Sequence, residues 1–418
     1  MISLFNKIEI YVLLLIVIAL FPLYTMGMIS VGLFLLSFYS IFYFLKNNNY
    51  KKVSKNYLQW LFIITAFYFW TIIANVYSDN TINGFKELQS SLSFVLLPTI
   101  LLVLIPNLSQ RAFELINFAF VYASIILILF IHYYLFSKGV YSELRENTFW
   151  NLPVRTALEV NPFKELHPTY IGLWFIYSFF YLLDYVLNKF KELPVYIISF
   201  NALAMTLLLI TTIILSARIV FISFVFTLIL YLIFKIKNKL FKYIIPPLVL
   251  TVALLLIFNN SFLKTRIVDE FKETKFAPPK GLEHNSTNIR VGIYTCSFEI
   301  VKDNWVKGVG IGNVKRKLNN CYEQFDTNAY TLFFYNTHNQ YLQVLISSGI
   351  IGLLFFLFSF VKQVKLAINQ KDYLYIAFIS LIIISLFSEN LFERVNGVVF
   401  YAFFNSLFIK RCIQNQIK

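Results

Sequence analysis

The sequence predicts an all-α polytopic membrane protein, with about twelve spanning helices under a partly helical outer cap. Three observations predict it. Only 14% of the 418 residues are charged and 58% are hydrophobic, whereas a soluble chain carries about 25% charged residues. The apolar residues come in long blocks, such as FIITAFYFWTIIA over 62–74 and LVLTVALLLIF over 248–258, which suit helices whose solvent is lipid. Lys and Arg also crowd into the short connectors on one side of the topology that results.

In chain order the predicted spans are 10–25, 28–45, 58–76, 89–106, 112–133, 169–187, 194–213, 218–234, 243–259, 341–361, 373–388 and 393–409. The first follows Lys7, lacks a small-residue cleavage site and runs at once into the second, so it is expected to be a retained helix. With the N-terminus inside, the connectors 46–55, 106–111, 188–192, 235–242 and 362–372 fall inside, and nearly all are short and basic. Lys410, Arg411 and Lys418 end on the same side. Both termini are then expected to be cytoplasmic, with an even number of spans.

The chain reads as one membrane domain over 1–418, with two large outer loops at 134–168 and 260–340 and no internal repeat. The second loop, at roughly 80 residues, exceeds what a structureless connection usually spans, so it is expected to fold over the mouth of the bundle. Its stretch 290–305 favours a helix, with Arg290, Tyr294 and Ser297 on one face and Ile293, Cys296 and Ile300 on another. KGVGIGNVK over 307–315 then forms a tight loop, where Gly308, Gly310 and Gly312 permit backbone conformations closed to other residues. The loop lacks the GKS or GKT ending of a phosphate loop. The net charge of +15 comes without a nucleic-acid motif and is explained by anionic lipid and orientation. Cys296 and Cys321 share the second loop. A disulfide and two free thiols are both open, and no metal-ligand spacing appears.

Polar side chains cluster at the predicted outer ends of the spans. His167 and His338 each stand where the chain re-enters the membrane, a costly place for an imidazole unless it is hydrated, hydrogen-bonded or used. His132 has a structural reading and His284 a solvated one. Arg218 opens a span, Arg290 opens the loop helix, and Glu389 and Arg394 flank the last outer turn. Arginines converging on that face would suit a diphosphate, because guanidinium groups hold phosphoryl oxygens in bidentate fashion without a metal. A histidine beside them could accept a hydroxyl proton.

Arg290, GVGIGN over 308–313 and THNQYLQVLISSGIIGLLFF over 337–356 form a unit that resembles the O-antigen ligase and polymerase family of bacterial envelope glycan assembly. Its pattern is matched by His338, Asn339, Tyr341, Leu342, Gly349, Gly352 and Leu353, and more loosely by Arg218, Glu389 and Gly397. The resemblance implies a GT-C-like membrane enzyme of the bacterial inner membrane, without cofactor or metal. Its donor would be an undecaprenyl-diphosphate-linked glycan, transferred with inversion at the periplasmic face. Arg218 and Arg290 would grip the diphosphate and His338 would activate the acceptor hydroxyl. His167, Asn339, Glu389 and Arg394 stand as further substrate-binding candidates, and Gly349 and Gly352 as close-packing positions. The acceptor would be lipid A–core for a ligase, or a second lipid-linked repeat for a polymerase. A transporter or flippase of the same lipid-linked glycans is the reading from another class, and it would place polar groups nearer mid-membrane.

Overall fold

The chain folds as a bundle of helices, seen in a computed structural model that describes residues 9–47, 53–141, 154, 157–158, 167–215, 218–259, 276–282, 285–331 and 335–417. In order, the N-terminal half comprises α1 (Ile10–Ala19), α2 (Met26–Lys46), α3 (Lys55–Val76), α4 (Thr81–Ser90), α5 (Ser93–Pro98) with a π-turn over Thr99–Leu104, α6 (Gln110–Ser137) and α7 (Pro168–Lys189). Then come α8 (Val195–Ile214), α9 (Arg218–Lys235), α10 (Lys239–Asn259), α11 (Ser286–Asn304), α12 (Val314–Tyr322), α13 (Gln340–Asn369), α14 (Tyr373–Ser385) and α15 (Val395–Ile417). The only bridge between extended segments among the described residues is an isolated one, Gly281 to Thr327.

The expectation of about twelve spans is corrected. Among the described residues seven helices, α2, α3, α6, α7, α8, α9 and α13, are long and apolar enough to cross a membrane, and eight if the bent pair of α4 with α5 and its π-turn counts as one. Five of the expected spans account for the difference. The stretch 10–25 yields a helix of only 10 residues before a turn containing Pro22. The stretch 89–106 is broken at a 40° bend, and 243–259 lies in a helix carrying Pro246 and Pro247. The stretch 373–388 yields 13 helical residues; an apolar run of about 10–14 residues suits a buried core helix better than a span. α15 has the length, but it carries Asn396, Asn405, Lys410 and Arg411.

α14 and α15 are wrapped by protein rather than lipid. Ile376 through Ile379, and Val398 through Phe404, are all buried. Their polar groups therefore find protein partners, as buried polar groups must. Lys410 donates to the carbonyls of Leu101 and Ile105 at 2.6 and 3.0 Å, beside the π-turn. Arg411 pairs with Asp372 and lies 4.0 Å from the centre of the Phe113 ring. The outer helices show the opposite pattern. Phe34, Phe38, Phe42 and Leu45 of α2 and Phe62 and Phe69 of α3 are exposed, which is stable only against an apolar solvent. The protein is a multi-pass membrane protein around a protein-lined core. With seven or eight spans in place of twelve, parity no longer fixes both termini on one side.

Three contacts position the functional end of the bundle. α13 packs along α3 and α9 along α14, and Val220, near the start of α9, sits against Gly172, near the start of α7. The stretch 290–304 is helical as expected, within α11, and Trp305 caps its end. Ile293, Cys296 and Ile300 are buried, and Ser297 on the other face is buried too. The central parts of both expected outer loops, 142–153, 155–156, 159–166, 260–275, 283–284 and 332–334, lie outside the described residues, and so does His284.

Candidate functional site

Four chain segments meet at one end of the bundle: the first turn of α7, the first turn of α11, the strand-like entry 335–339 into α13, and the connector 386–394 between α14 and α15. Hydrogen bonds join them. The backbone N–H of Gln340 donates to the Leu386 carbonyl at 2.9 Å, and the Gln340 side chain accepts from the N–H of Phe392 at 2.9 Å. Thr337 and Asn390 bond side chain to side chain. Thr169 donates to Glu389 at 3.5 Å, and the Tyr170 hydroxyl to the Asn390 carbonyl at 3.2 Å. Arg290 reaches across from α11 and donates to the Ser388 hydroxyl at 2.6 Å. The Arg394 guanidinium lies 5.9 Å from the centre of the Tyr170 ring.

His338 stands among these groups with an unusual backbone. Its φ is 45°, in the left-handed region that non-glycine residues seldom enter. The side chain of Asn336 supports that turn, accepting from the His338 N–H at 3.1 Å. Burial, then the positive fields of Arg290 and Arg394, push the imidazole down to about 4, so the ring is neutral at physiological pH. Its Nδ1 is buried with no hydrogen-bond partner among the described residues.

The sequence-derived candidates divide accordingly. Arg290, His338, Glu389 and Arg394 come together. His167 caps α7 at the same end, accepting from Thr169 N at 3.4 Å, with its ring 6.0 Å from that of Tyr170. Asn339 caps α13 by accepting from Leu342 N at 3.0 Å, which gives its side-chain oxygen a structural duty. Arg218 is the first residue of α9, two positions before the Val220 that packs near the start of α7, and so lies at this end of the bundle. His132 is structural as expected, bonded to Tyr141 and, at 2.9 Å, to Thr211.

The glycine loop proves to be a brace. α13 breaks at Gly349, whose φ and ψ are 67° and −171°, a combination essentially restricted to glycine. The loop docks into that break: Val309 N donates to the Ile346 carbonyl at 2.8 Å, Gly310 N to that of Ser347 at 3.0 Å, and Ile350 N to that of Trp305 at 2.8 Å. A Cβ on Gly308 would lie 2.6 Å from the Ile346 carbonyl oxygen, and one on Gly349 2.1 Å from that of Val306. Gly310 and Gly312 approach the Ser78 and Asn80 backbone in the same way, and Gly352 approaches Ser348 and Trp70. These glycines thus hold the loop against the break in α13 and against the start of α4.

Sequence reasoning missed Glu393 and Asn336. Glu393 lies in a short turn before α15, where Asn336 donates to its carboxylate at 2.6 Å. Burial and the nearby Glu87 carboxylate raise it to about 7, against the opposing pull of Asn390, Asn336 and Arg394. Both residues border a cavity of about 450 Å³ that also meets Arg394. Glu393 sits inside SENLFERVNG, but nothing in that string marks which of its two glutamates is enclosed.

Cys296 of α11 and Cys321 of α12 form a disulfide, their Cα atoms 5.7 Å apart. A carboxylate oxygen of Glu299 lies within 4.8 Å of both sulfurs, but the sulfurs are bonded to each other. The pair ties α11 and α12 into one unit with a buried core of Ile289, Ile293, Ile300, Leu318 and Ile346.

Comparison with known proteins supports the resemblance. Residues 203–357 match the family model described as O-Antigen ligase. The matched segment, a little over a third of the chain, holds Arg218, Arg290, the glycine loop, His338, Gly349 and Gly352. His167, Glu389, Glu393 and Arg394 lie outside it. No curated protein matches the chain.

Proposed function

We propose that this protein is a glycosyltransferase of cell-envelope polysaccharide assembly. It moves a glycan from an undecaprenyl-diphosphate-linked donor to an acceptor hydroxyl, as an O-antigen ligase does with lipid A–core. The observation that carries this reading is a neutral histidine held within the fields of two guanidinium groups at the polar end of an apolar bundle. That arrangement supplies a proton acceptor next to an anion-binding site, and a lipid-diphosphate donor needs both.

In the transfer, the acceptor oxygen attacks the anomeric carbon while the bond from that carbon to the phosphate oxygen breaks. The electron pair leaves on the lipid diphosphate, the acceptor proton passes to His338, and the configuration inverts. Arg290 and Arg218 hold the diphosphate and stabilise the charge that grows on it, where preorganised cations contribute most; this requires no metal. Arg394 completes the positive field. An apolar groove of about 500 Å³ along α13, from Tyr341 to Asn369, offers a track for the lipid chain. The disulfide in the α11–α12 unit suits an oxidising compartment, which favours a site on the outer face of the bacterial cytoplasmic membrane.

The test uses the full chain in proteoliposomes with a labelled lipid-linked repeat. Lipid A–core and a second lipid-linked repeat are offered in separate reactions. Label on lipid A–core is the expected result, whereas a ladder of growing lipid-linked chains would make the protein a polymerase. Loss of one general base typically costs about 10²–10⁴-fold in rate. Normal transfer by both His338→Ala and Arg290→Ala would end the assignment.

A further inference from the structure

The cavity of about 450 Å³ bordered by Asn336 and Gln340, which flank His338 in the chain, has a lining that fits a particular ligand class. Its walls combine aromatic faces (Tyr68, Phe94 and Phe392) with the side-chain amides of Asn336, Gln340 and Gln343 and with acidic and basic groups of both signs. Lys86 and Glu87 stand at an exposed rim. A phosphate would meet Lys86, Lys315 and Arg394, but it would also meet the carboxylates of Glu87 and Glu393. Carboxylates with amides and aromatic faces suit a neutral, hydroxyl-rich ligand, because each carboxylate oxygen accepts from a hydroxyl while the rings cover its C–H faces.

Two further observations place a ligand here. Gln343 borders the cavity, and its Oε1 is buried with no hydrogen-bond partner among the described residues; buried acceptors of this kind are normally satisfied. The cavity is also wired to His338. Glu393 accepts from Asn336 Nδ2 at 2.6 Å, and Asn336 Oδ1 accepts from the His338 N–H at 3.1 Å. One amide therefore links the acid in the cavity wall to the backbone turn that presents the histidine.

We propose that this cavity is the acceptor pocket: it holds a sugar residue of the acceptor glycan through hydroxyl hydrogen bonds to Gln343 and Glu393, and presents the reacting hydroxyl to His338. The inference rests on the glycosyl-transfer reading and locates its second substrate. Donor and acceptor then approach from two sides, the diphosphate against Arg290 and the sugar against Gln343, with His338 and Arg394 between them. Glu393 has a second role as a positioning residue, acting through Asn336.

The test measures acceptor KM, donor KM and kcat for the wild type, Gln343→Leu and Glu393→Gln in proteoliposomes, with lipid A–core and a second lipid-linked repeat as acceptors. Equilibrium binding of free core oligosaccharide to the same preparations is measured independently of turnover. Losing one buried hydrogen bond to a ligand costs about 1.4 kcal/mol, or roughly tenfold. Gln343→Leu should raise acceptor KM and weaken oligosaccharide binding by about that factor, with donor KM unchanged. Glu393→Gln should do the same and also lower kcat, since it loosens the His338 turn. Unchanged acceptor KM and oligosaccharide binding in both variants would overturn the pocket, as would an effect confined to donor KM. A wild type that binds oligosaccharide through Gln343 yet transfers to neither acceptor would uphold the pocket and defeat the transfer reading.

Discussion

The sharpest consequence of the site is that donor binding should make His338 a stronger base. Free imidazole titrates near ~6.5, and in this protein His338 is held at about 4. At 1.36 kcal/mol per pH unit, that gap is about 3.4 kcal/mol against the charged ring. Burial is its largest cause, followed by Arg290 and then Arg394. Arg394, the smallest of the three causes, therefore supplies at most a third of the gap, and Arg394→Gln should raise the midpoint by less than about 0.8 pH units. A diphosphate on the arginines cancels the same fields, so it should move the midpoint in the same direction. The assay is an NMR titration of ¹⁵N-histidine-labelled protein in nanodiscs, with His338 assigned by the signal lost in His338→Gln. Inorganic pyrophosphate serves as the anion. A wild-type midpoint at the ordinary histidine value would refute the argument, as would a midpoint that neither Arg394→Gln, Arg290→Gln nor pyrophosphate moves.

Two other predictions concern the scaffold. Gly349→Ala forces a side chain into a glycine-only conformation and against the Val306 backbone; strain and overpacking together should cost roughly 2–6 kcal/mol, seen as a large fall in Tm or failure to express, and a wild-type Tm would contradict the docking of the glycine loop. Glu393 rises from 4.5 to about 7 on folding, so the folded state keeps a proton that the unfolded chain gives up. Its contribution is full below the unfolded value and is lost as pH rises through about 7, by at most on the order of 3 kcal/mol. Melts across this window should flatten in Glu393→Gln, and an unchanged pH slope would show that the acid is not enclosed.

Helix identity and the polar residues of the site were largely legible from the sequence, because apolar blocks and punctuating caps are local signals. His338, Glu389 and Arg394 could be singled out as polar groups at the ends of apolar runs, and Arg290 as the residue that opens the loop helix, and they do meet. What could not be read was the solvent of each helix. α14 is as apolar as a lipid-facing span, yet Ile376 through Ile379 are all buried. Hydropathy measures dislike of water and does not distinguish a lipid neighbour from a protein one. α15 misled in the same direction: it too was expected to be a span, yet it continues through Lys410 and Arg411, which are received by Leu101, Ile105 and Asp372. Glu393 and Asn336 were invisible for a related reason: their roles depend on a contact between residues 57 positions apart.

The correction to the span count changes the basis for grouping the site. An even number of spans would have put Arg218, Arg290, His338 and Glu389 on one side by parity alone, and parity fails with a single miscounted helix. Direct contacts do not depend on it. Arg290 bonds to Ser388 across 98 positions of chain, and Thr169 reaches Glu389 across 220. The brace at Gly349 ties the same end to α3, where Trp70 donates to the Ser348 carbonyl at 3.0 Å. These links also cross the edge of the family-matched segment, joining Arg290 and His338 inside it to Glu389, Glu393 and Arg394 beyond it. The chemistry of the matched segment is therefore set partly by residues outside it: Arg394 acts on His338, and Glu393 supports its turn through Asn336. Moving the 203–357 segment into another bundle without the 386–394 connector would carry over the histidine but leave behind the groups that set its charge and its backbone.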